Sequence, residues 1–142
     1  MSATKCNYCS GSPYYNWEDD IPVSTLKNYF SEKYGTIGKI TGISFSKFHG
    51  RVTEAVVRHD AGMIKMSGND FRLALPEKLL KSMNFDAKKN GKMIHFSGHG
   101  WGHGVGMCQY GARGMALQKK SYHEILSYYY KGISFVKIND GR

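Results

Sequence analysis

Residues 93–106 read MIHFSGHGWGHGVG, an apolar run followed by glycine at every second position. The run predicts a strand that delivers the chain into the glycine-rich segment. On an extended backbone, successive side chains point to opposite faces, so alternate residues would share one side and leave bare main chain on the other. The side chains expected together are His99, Trp101, His103 and Val105. Because ordering glycine costs more conformational freedom than ordering any other residue, we interpret this segment as a loop shaped for a ligand.

Two other interpretations of this loop stay open. His95, His99 and His103 recur every four residues, but on an extended chain such neighbours lie about 13 Å apart. They would share a metal ion only if the loop turned sharply. A close-packing strand that uses glycine for backbone approach is the second alternative. A nucleotide site is disfavoured, because the dinucleotide fingerprint needs glycine where His103 stands and no Gly-Lys-Ser/Thr follows.

The composition indicates one domain with a hydrophobic core. The chain has 142 residues, of which 41% are hydrophobic and 13% aromatic. No stretch approaches the roughly 18 uninterrupted apolar residues of a membrane span, and residues 1–10 lack a signal-peptide pattern, so we expect any export signal outside this chain. The formal net charge of +9 favours a polyanionic partner. Nucleic acid is not expected, because the basic residues are scattered without an RNA-binding aromatic pattern.

The order of elements predicts an α+β fold, a single domain of antiparallel β-hairpins with three or four short helices. Residues 1–20 are polar and turn-rich, which predicts an irregular lead-in. A helix should follow, with Pro22 in its first turn and Gly35 at its end. A hairpin is predicted next, with strands over 37–48 and 51–58.

The second half predicts a further strand and three helices around the glycine-rich loop. A third strand over 61–66 is followed by a short helix that Ser67 and Asp70 would cap. The Asn-Gly pair that ends residues 86–91 predicts a turn before the strand that enters the loop. Helices are expected over 107–118 and from the Ser121 to Glu124 capping box to Tyr130. A strand over 133–138 would close the chain.

The Cys6-x-x-Cys9 spacing supplies half of a structural zinc site. His49, His59 or a residue outside this chain would complete it. A redox dithiol and two free thiols are equally admissible. With Cys108 the chain has three cysteines, which cannot all pair within one chain, so a disulfide-stapled miniprotein is not expected.

Cys108 has two interpretations of its own. It lies near a predicted helix N-terminus, where the helix dipole lowers the pKa of a thiol. With His99 or His103 nearby in sequence, it is a conceivable nucleophile. The alternative is a small buried residue, since cysteine is among the most buried residue types.

Five residues in and after the loop predict a site for an acidic sugar polymer. Trp101 is flanked by glycines, so one face of its ring is free to lie against the apolar face of a sugar. Imidazoles can hydrogen-bond hydroxyl groups or carboxylates, and the next helix offers free backbone N–H groups to an anion. The predicted substrate-binding residues are His99, Trp101, His103, Gln109 and Tyr110.

No catalytic acid can be named from the sequence. Glycoside cleavage needs a carboxylic acid with a raised pKa, and the loop contains no carboxylate. Glu54 is placed in a predicted strand, and Glu124 in a capping box. The acidic cluster at 18–20 precedes the first helix and is expected to complement its dipole.

Residues 98–116, GHGWGHGVGMCQYGARGMA, resemble the signature of the SpoIID/LytB family, the stage II sporulation protein D group. Further segments resemble the family in the same order: SPYYNW at 12–17, GNDFRLAL at 68–75 and YHEILSYYY at 122–130. The resemblance spans nearly the whole chain, residues 1–142, as the C-terminal portion of such a domain, with the glycine-rich site loop and helix start at 98–114. Two residues depart from the pattern: His99 stands where members commonly have Arg, and Cys108 where they commonly have Ser.

The resemblance implies lytic transglycosylation of peptidoglycan, in which a glutamic acid protonates the glycosidic oxygen and the sugar's own 6-hydroxyl closes an anhydro ring. That glutamate belongs to an N-terminal half that this chain does not contain. We therefore expect the glycan-binding half of a lytic transglycosylase that acts on peptide-stripped cell-wall glycan strands during sporulation. The alternative is a non-catalytic module of the amidase-enhancer kind, which would bind a cell-wall amidase or other sporulation proteins. The resemblance also implies a place outside the cytoplasm, with a membrane anchor upstream.

Overall fold

The computed structural model describes residues 6–76 and 79–137. In chain order the elements are β1 (Asn16–Pro22), α1 (Val23–Tyr34), β2 (Ile40–Phe48), β3 (Arg51–His59), β4 (Gly62–Ser67), α2 (Gly68–Leu73), β5 (Phe85–Asn90), β6 (Met93–His99), α3 (Gln109–Leu117) and α4 (Tyr122–Tyr129). Within the described ranges this is a small α+β domain with antiparallel hairpins and four short helices, as predicted. No helix in those ranges is long and apolar enough to cross a membrane.

The chain divides into two compact units. One comprises Tyr14–His103 and contains both sheets, α1 and α2. The other comprises residues 6–13 and 104–137 and contains α3 and α4.

One sheet of the first unit has the strand order β1-β6-β5, and both of its pairings are antiparallel. Its edge strand β1 corrects the prediction that residues 1–20 are an irregular lead-in, because Asn16–Pro22 pairs with β6. Strand propensity in this acidic segment is low. The pairing forms because Trp17 and Ile21 lie on the same face and are both buried. Pro22 therefore ends the strand and precedes α1 as its N-cap residue, outside the first turn where it was expected.

The second sheet has the strand order β2-β3-β4 and confirms the predicted hairpin and third strand. The hairpin turns at His49 and Gly50, both of which have positive φ. Ser67 ends β4 and caps α2, where its hydroxyl oxygen accepts a hydrogen bond from the Asp70 N–H at 3.1 Å. The helix ends at Leu73.

A cluster of phenylalanines joins the two sheets and two helices of this unit. Phe71 of α2 lies 5.0 Å, between ring centroids, from Phe45 of β2 and 5.6 Å from Phe30 of α1. It also contacts Phe85 and Phe96, each at 6.5 Å. Burial of these aromatic side chains stabilises the unit, because each removes a large apolar area from water.

Two predicted boundaries are wrong. Residues 86–90 were expected in a turn, but β5 continues to Asn90 and the turn is only Gly91 and Lys92. The Asn-Gly signal correctly locates the reversal, and cross-strand pairing with β6 decides how far the strand extends. The strand expected over 133–138 does not form over 133–137, where the residues are exposed and pair with no strand; Ile138 lies outside the described residues.

In the second unit, α4 has the predicted start, whereas α3 begins at Gln109, two residues later than predicted. Cys108 is the N-cap of α3, and Ser121 and Glu124 form a complete capping box at the start of α4. Glycines on α3 permit close packing: a Cβ atom at Gly114 would lie 2.1 Å from the Tyr8 carbonyl oxygen. The segment around Cys6 and Cys9 therefore packs directly against α3.

Candidate functional site

The glycine-rich loop is not the extended strand that the alternation predicts. Gly100 has a φ of 76° and Gly102 a φ of 88°, in the left-handed region that other residues avoid. Beyond His99 the side chains therefore do not alternate across a sheet, and the expected shared face is a wrong prediction. A Cβ atom at either glycine would meet open space, so backbone conformation, not close approach, requires glycine at these two positions.

Hydrogen bonds on both sides hold this loop in place. The Gly100 N–H donates to the Tyr14 carbonyl at 2.8 Å, and the Gly102 N–H donates to the Lys81 carbonyl at 2.6 Å. The buried Ser82 hydroxyl donates to the His99 carbonyl at 2.6 Å. A loop whose backbone groups are paired in this way loses little further freedom when a ligand binds.

Gly98 is the one glycine of the loop entrance that close packing requires. A Cβ atom there would lie 2.3 Å from Cζ2 of the buried Trp17 and 2.7 Å from the Asn84 carbonyl oxygen. The Trp17 indole N–H donates to the Gly100 carbonyl at 3.0 Å. Trp17 therefore holds the loop through this hydrogen bond. The close-packing interpretation of the glycines is correct at Gly98 but not at Gly100 or Gly102.

Two aromatic rings form an exposed platform at the loop. The ring centroids of Trp101 and Tyr14 lie 4.5 Å apart with planes tilted by 38°. Trp101 is 50% exposed and Tyr14 36% exposed. An aromatic pair with this much surface facing water can stack on the apolar face of a sugar ring.

His99 lies beside this platform with a defined ring orientation. Its Nδ1 atom is 2.6 Å from Asn16 Oδ1 and 3.3 Å from the Tyr15 carbonyl oxygen. Both partners are acceptors, so Nδ1 carries the hydrogen and Nε2 can accept a hydrogen bond from a hydroxyl group.

The histidine metal site receives no support from the described residues. His95 Nδ1 pairs with Asp20 Oδ1 at 3.1 Å, while His99 pairs with Asn16. No group of three metal-ligating side chains among the described residues includes His95, His99 or His103. The structure places His103 at the end of the first unit.

Gln109 and Tyr110, the other predicted contacts, are the first two residues of α3 in the second unit. Tyr110 is exposed. Cys108 caps this helix, so the backbone N–H groups of its first turn include those of Gln109 and Tyr110. Their part in sugar binding stays a prediction.

The acidic side chains that the sequence singled out are engaged in other contacts, as far as the described residues show. Glu54 pairs with Lys65 at 2.8 Å. At Glu124, the Ser121 backbone N–H, together with Lys120 and the Ser121 side chain, lowers the pKa to about 2, so this group is ionised and serves the capping box. The acidic cluster at 18–20 lies in β1 and does not serve the α1 dipole as expected, because Asp19 pairs with Lys81 and Asp20 with His95.

Three thiols come together in the second unit. The Sγ atoms of Cys6, Cys9 and Cys108 all lie within 4.8 Å of one another and are partly buried. The Gly111 N–H donates to Cys108 Sγ at 3.3 Å, and the Tyr129 hydroxyl lies 3.1 Å from Cys6 Sγ. These three side chains can hold a metal ion.

The Cys9 thiol is not poised for nucleophilic or redox chemistry. Burial, followed by the hydrogen bond and charge of Cys6, raises the pKa of Cys9 to about 12. Reactive thiols have lowered pKa values, so a catalytic dithiol at Cys6 and Cys9 is disfavoured. Cys108 Sγ lies within 4.8 Å of the other two sulfur atoms.

Sequence reasoning missed the combination of Cys108 with Cys6 and Cys9. It named His49 or His59 to complete the half-site, and neither belongs to the group of possible ligands found among the described residues. The number of cysteines was the available signal. A half-site of two thiols needs further ligands, and the chain has one further cysteine.

A family model described as a domain of unknown function (DUF8618) matches residues 3–106. The chain belongs to the DUF8618 family. This DUF8618 chain is 37% identical over 125 residues to an uncharacterized protein of Brachyspira hyodysenteriae, an alignment that covers 87% of this chain and 33% of the relative.

Two further relatives of the DUF8618 chain carry functional names. Stage II sporulation protein D of Bacillus subtilis is 41% identical over 97 residues, covering 68% of this chain and 25% of the relative. Amidase enhancer of Bacillus subtilis is 38% identical over 69 residues, covering 49% of this chain and 10% of the relative. These partial similarities support the SpoIID-like resemblance. The chain spans a third or less of the length of these relatives.

Proposed function

We propose that this DUF8618 chain is the glycan-binding part of a cell-wall lytic transglycosylase that acts on peptide-stripped peptidoglycan during sporulation. The observation that carries the proposal is the exposed platform of Trp101 and Tyr14 on a loop whose backbone is hydrogen-bonded on both sides. The similarity to Stage II sporulation protein D supports a role in sporulation. The protein would act outside the cytoplasm, anchored through an upstream segment, with the catalytic glutamate in an N-terminal half.

The proposed binding mode combines stacking with hydrogen bonding. One sugar ring lies on the Trp101 indole, and His99 Nε2 accepts a hydrogen bond from a hydroxyl group of the same or the next sugar. His103, Gln109 and Tyr110 are proposed as additional polar contacts. No residue of this chain is given a catalytic role.

Charge favours peptide-stripped glycan as the ligand. Removal of the stem peptide leaves a lactyl carboxylate on each muramic acid, so the stripped strand is a polyanion. The chain carries a formal net charge of +9, which attracts such a strand over distances of about a Debye length. The attraction should therefore weaken with added salt, whereas stacking on Trp101 should not.

Replacement of Trp101 by Ala is expected to weaken the binding of peptide-stripped glycan strands at least about tenfold, because it removes the ring on which the sugar stacks. A tenfold weakening corresponds to a loss of about 1.4 kcal/mol of binding free energy. Affinity would be measured by titration calorimetry or by pelleting with insoluble stripped glycan. Chitin oligomers, which lack the carboxylate, separate the stacking contribution from the charge contribution.

The matched control is Met63→Ala, which removes a similarly exposed apolar side chain from β4. It should bind glycan as the unaltered chain does. Equal affinity of the Trp101→Ala chain and the unaltered chain, with both folded by circular dichroism, would remove the platform from the binding site and contradict the proposal.

Similarity to the Amidase enhancer favours a second candidate, a non-catalytic module that binds a cell-wall amidase. In that case the chain should form a complex with an N-acetylmuramoyl amidase and raise its activity in the absence of any transglycosylase. Size-exclusion chromatography and an amidase assay would detect this. If neither a complex nor stimulation is found, while stripped glycan binds, the first candidate alone stands.

A structural zinc ion at Cys6 and Cys9 is also part of the proposal. The two-residue spacing supplies two thiolates in the arrangement of structural zinc sites, and both side chains are partly buried.

A further inference from the structure

We propose that Cys108 is the third thiolate ligand of this zinc ion and that the ion fixes the start of α3. The inference extends the zinc proposal and is independent of glycan binding. Cys108 is the N-cap residue of α3, and Cys6 and Cys9 lie in the preceding segment of the same unit. A zinc ion bound to all three would join residues that are about a hundred positions apart in sequence, and that crosslink would stabilise the unit.

The distances are close to those of a zinc site. The three Sγ atoms lie within 4.8 Å of one another. Tetrahedral zinc with Zn–S bonds of about 2.3 Å needs sulfur atoms about 3.8 Å apart. A contraction of about 1 Å or less, within the reach of cysteine rotamers, brings the three sulfurs to that separation.

Hydrogen-bond donors lie beside two of the three sulfur atoms. The Gly111 N–H already points at Cys108 Sγ, at 3.3 Å, and the N-terminal end of the α3 dipole stabilises negative charge there. The Tyr129 hydroxyl, 3.1 Å from Cys6 Sγ, can donate its hydrogen to a metal-bound sulfur. Such outer hydrogen bonds orient the ligands of metal sites.

The packing of α3 shows that the cluster is built into the unit. A Cβ atom at Gly111 would lie 2.3 Å from Cys6 Sγ and 2.0 Å from the Tyr129 hydroxyl oxygen. Glycine at this position therefore makes room for Cys6 directly beside the first turn of α3. With the Gly114 contact to Tyr8, it holds the two-cysteine segment against the helix that carries Cys108.

Three thiolates fill three of the four positions that zinc prefers, and no fourth His, Cys, Asp or Glu among the described residues joins the group. The fourth position is open to a ligand other than these three side chains. Three thiolates and one divalent ion leave a net negative charge beside the α3 N-terminus, where the helix dipole is favourable to it.

The test measures metal in the intact chain. Purified under reducing conditions with zinc, it should hold one equivalent by mass spectrometry of the metal content. Cys108→Ser should lower the zinc affinity, measured against a chelator, at least about a hundredfold, as should Cys9→Ser. Gly111→Ala should weaken binding while keeping all three cysteines. Ser10→Ala, at an exposed neighbour of Cys9, is the matched control and should bind zinc normally.

A second measurement does not depend on the folding of a variant. In the unaltered chain loaded with Co²⁺ in place of zinc, the intensity of the sulfur-to-cobalt charge-transfer absorption grows with the number of thiolate ligands, and it should match three. An intensity matching two, or an unchanged zinc affinity in Cys108→Ser, would overturn the proposal. Trp101→Ala should hold zinc normally, so failure of glycan binding leaves this result unaffected.

Discussion

Replacement of Phe71 by Ala should lower the free energy of unfolding by about 3–5 kcal/mol, the largest stability effect that we expect from one side chain. Phe71 is fully buried and packs against four other phenylalanines of the first unit: Phe30, Phe45, Phe85 and Phe96. Its removal leaves a cavity that both sheets line, and the hairpins cannot close it without losing their register. Urea denaturation followed by far-UV circular dichroism would measure the change.

Leu73→Ala is the matched control, because Leu73 lies two residues later on the same helix and is 59% exposed. Its free energy of unfolding should stay within about 0.5 kcal/mol of that of the unaltered chain. Similar losses in the two variants would mean that the phenylalanine cluster is not the centre of the core. Since domains of this size are stable by only about 5–15 kcal/mol, the Phe71→Ala chain should be partly unfolded at physiological temperature.

Replacement of Gly98 by Ala is expected to disturb both stability and the candidate binding site. The added methyl group would lie 2.3 Å from Trp17 and 2.7 Å from the Asn84 carbonyl, so the buried indole has to move. Overpacking of this kind costs about 1–3 kcal/mol. Because the Trp17 N–H holds the Gly100 carbonyl, the displacement also moves the loop that carries Trp101, and stripped-glycan affinity should fall with it.

Trp17 fluorescence gives a direct measure of this displacement. The chain has two tryptophans, so a Trp101→Phe background leaves Trp17 as the single indole, and Gly98→Ala should shift its emission toward that of a solvent-exposed ring. Gly42→Ala is the control, since a Cβ atom there meets nothing within 4 Å. It should leave stability unchanged or raise it by about 0.4–1 kcal/mol. A Gly98→Ala chain as stable as Gly42→Ala, with unshifted emission, would refute the steric argument.

The sequence predicted correctly those elements that residues close together in the chain specify. Caps are the clearest example: Ser67 and Ser121 bond to backbone N–H groups three residues away, within a range that the sequence displays directly. The β2–β3 hairpin is similar, because two β-rich runs and a two-residue turn specify it. Helix α1 follows from the helical spacing of Leu26 and Phe30, both buried.

Errors arose where a distant segment decides the conformation. Asn16–Pro22 is a strand because β6, more than seventy residues later, pairs with it and buries Trp17 and Ile21. The alternating glycines suggested an extended chain, yet hydrogen bonds from Gly100 to Tyr14 and from Gly102 to Lys81 hold a looped backbone with positive φ. Neither effect is visible in a local window, because the partner lies elsewhere in sequence.

The sequence by itself determined the α+β class, the helix caps, the central hairpin and the choice of Trp101 and the Cys6-x-x-Cys9 pair as residues of interest. Those features depend on hydrophobic period, turn chemistry and residue type, which neighbouring positions specify. Only the tertiary structure brought Tyr14 to Trp101, Asn16 to His99 and Cys108 to Cys6 and Cys9. Each of these contacts joins residues more than eighty positions apart. Many distant pairs are possible in a chain of this length, and only the folded structure determines which of them come into contact.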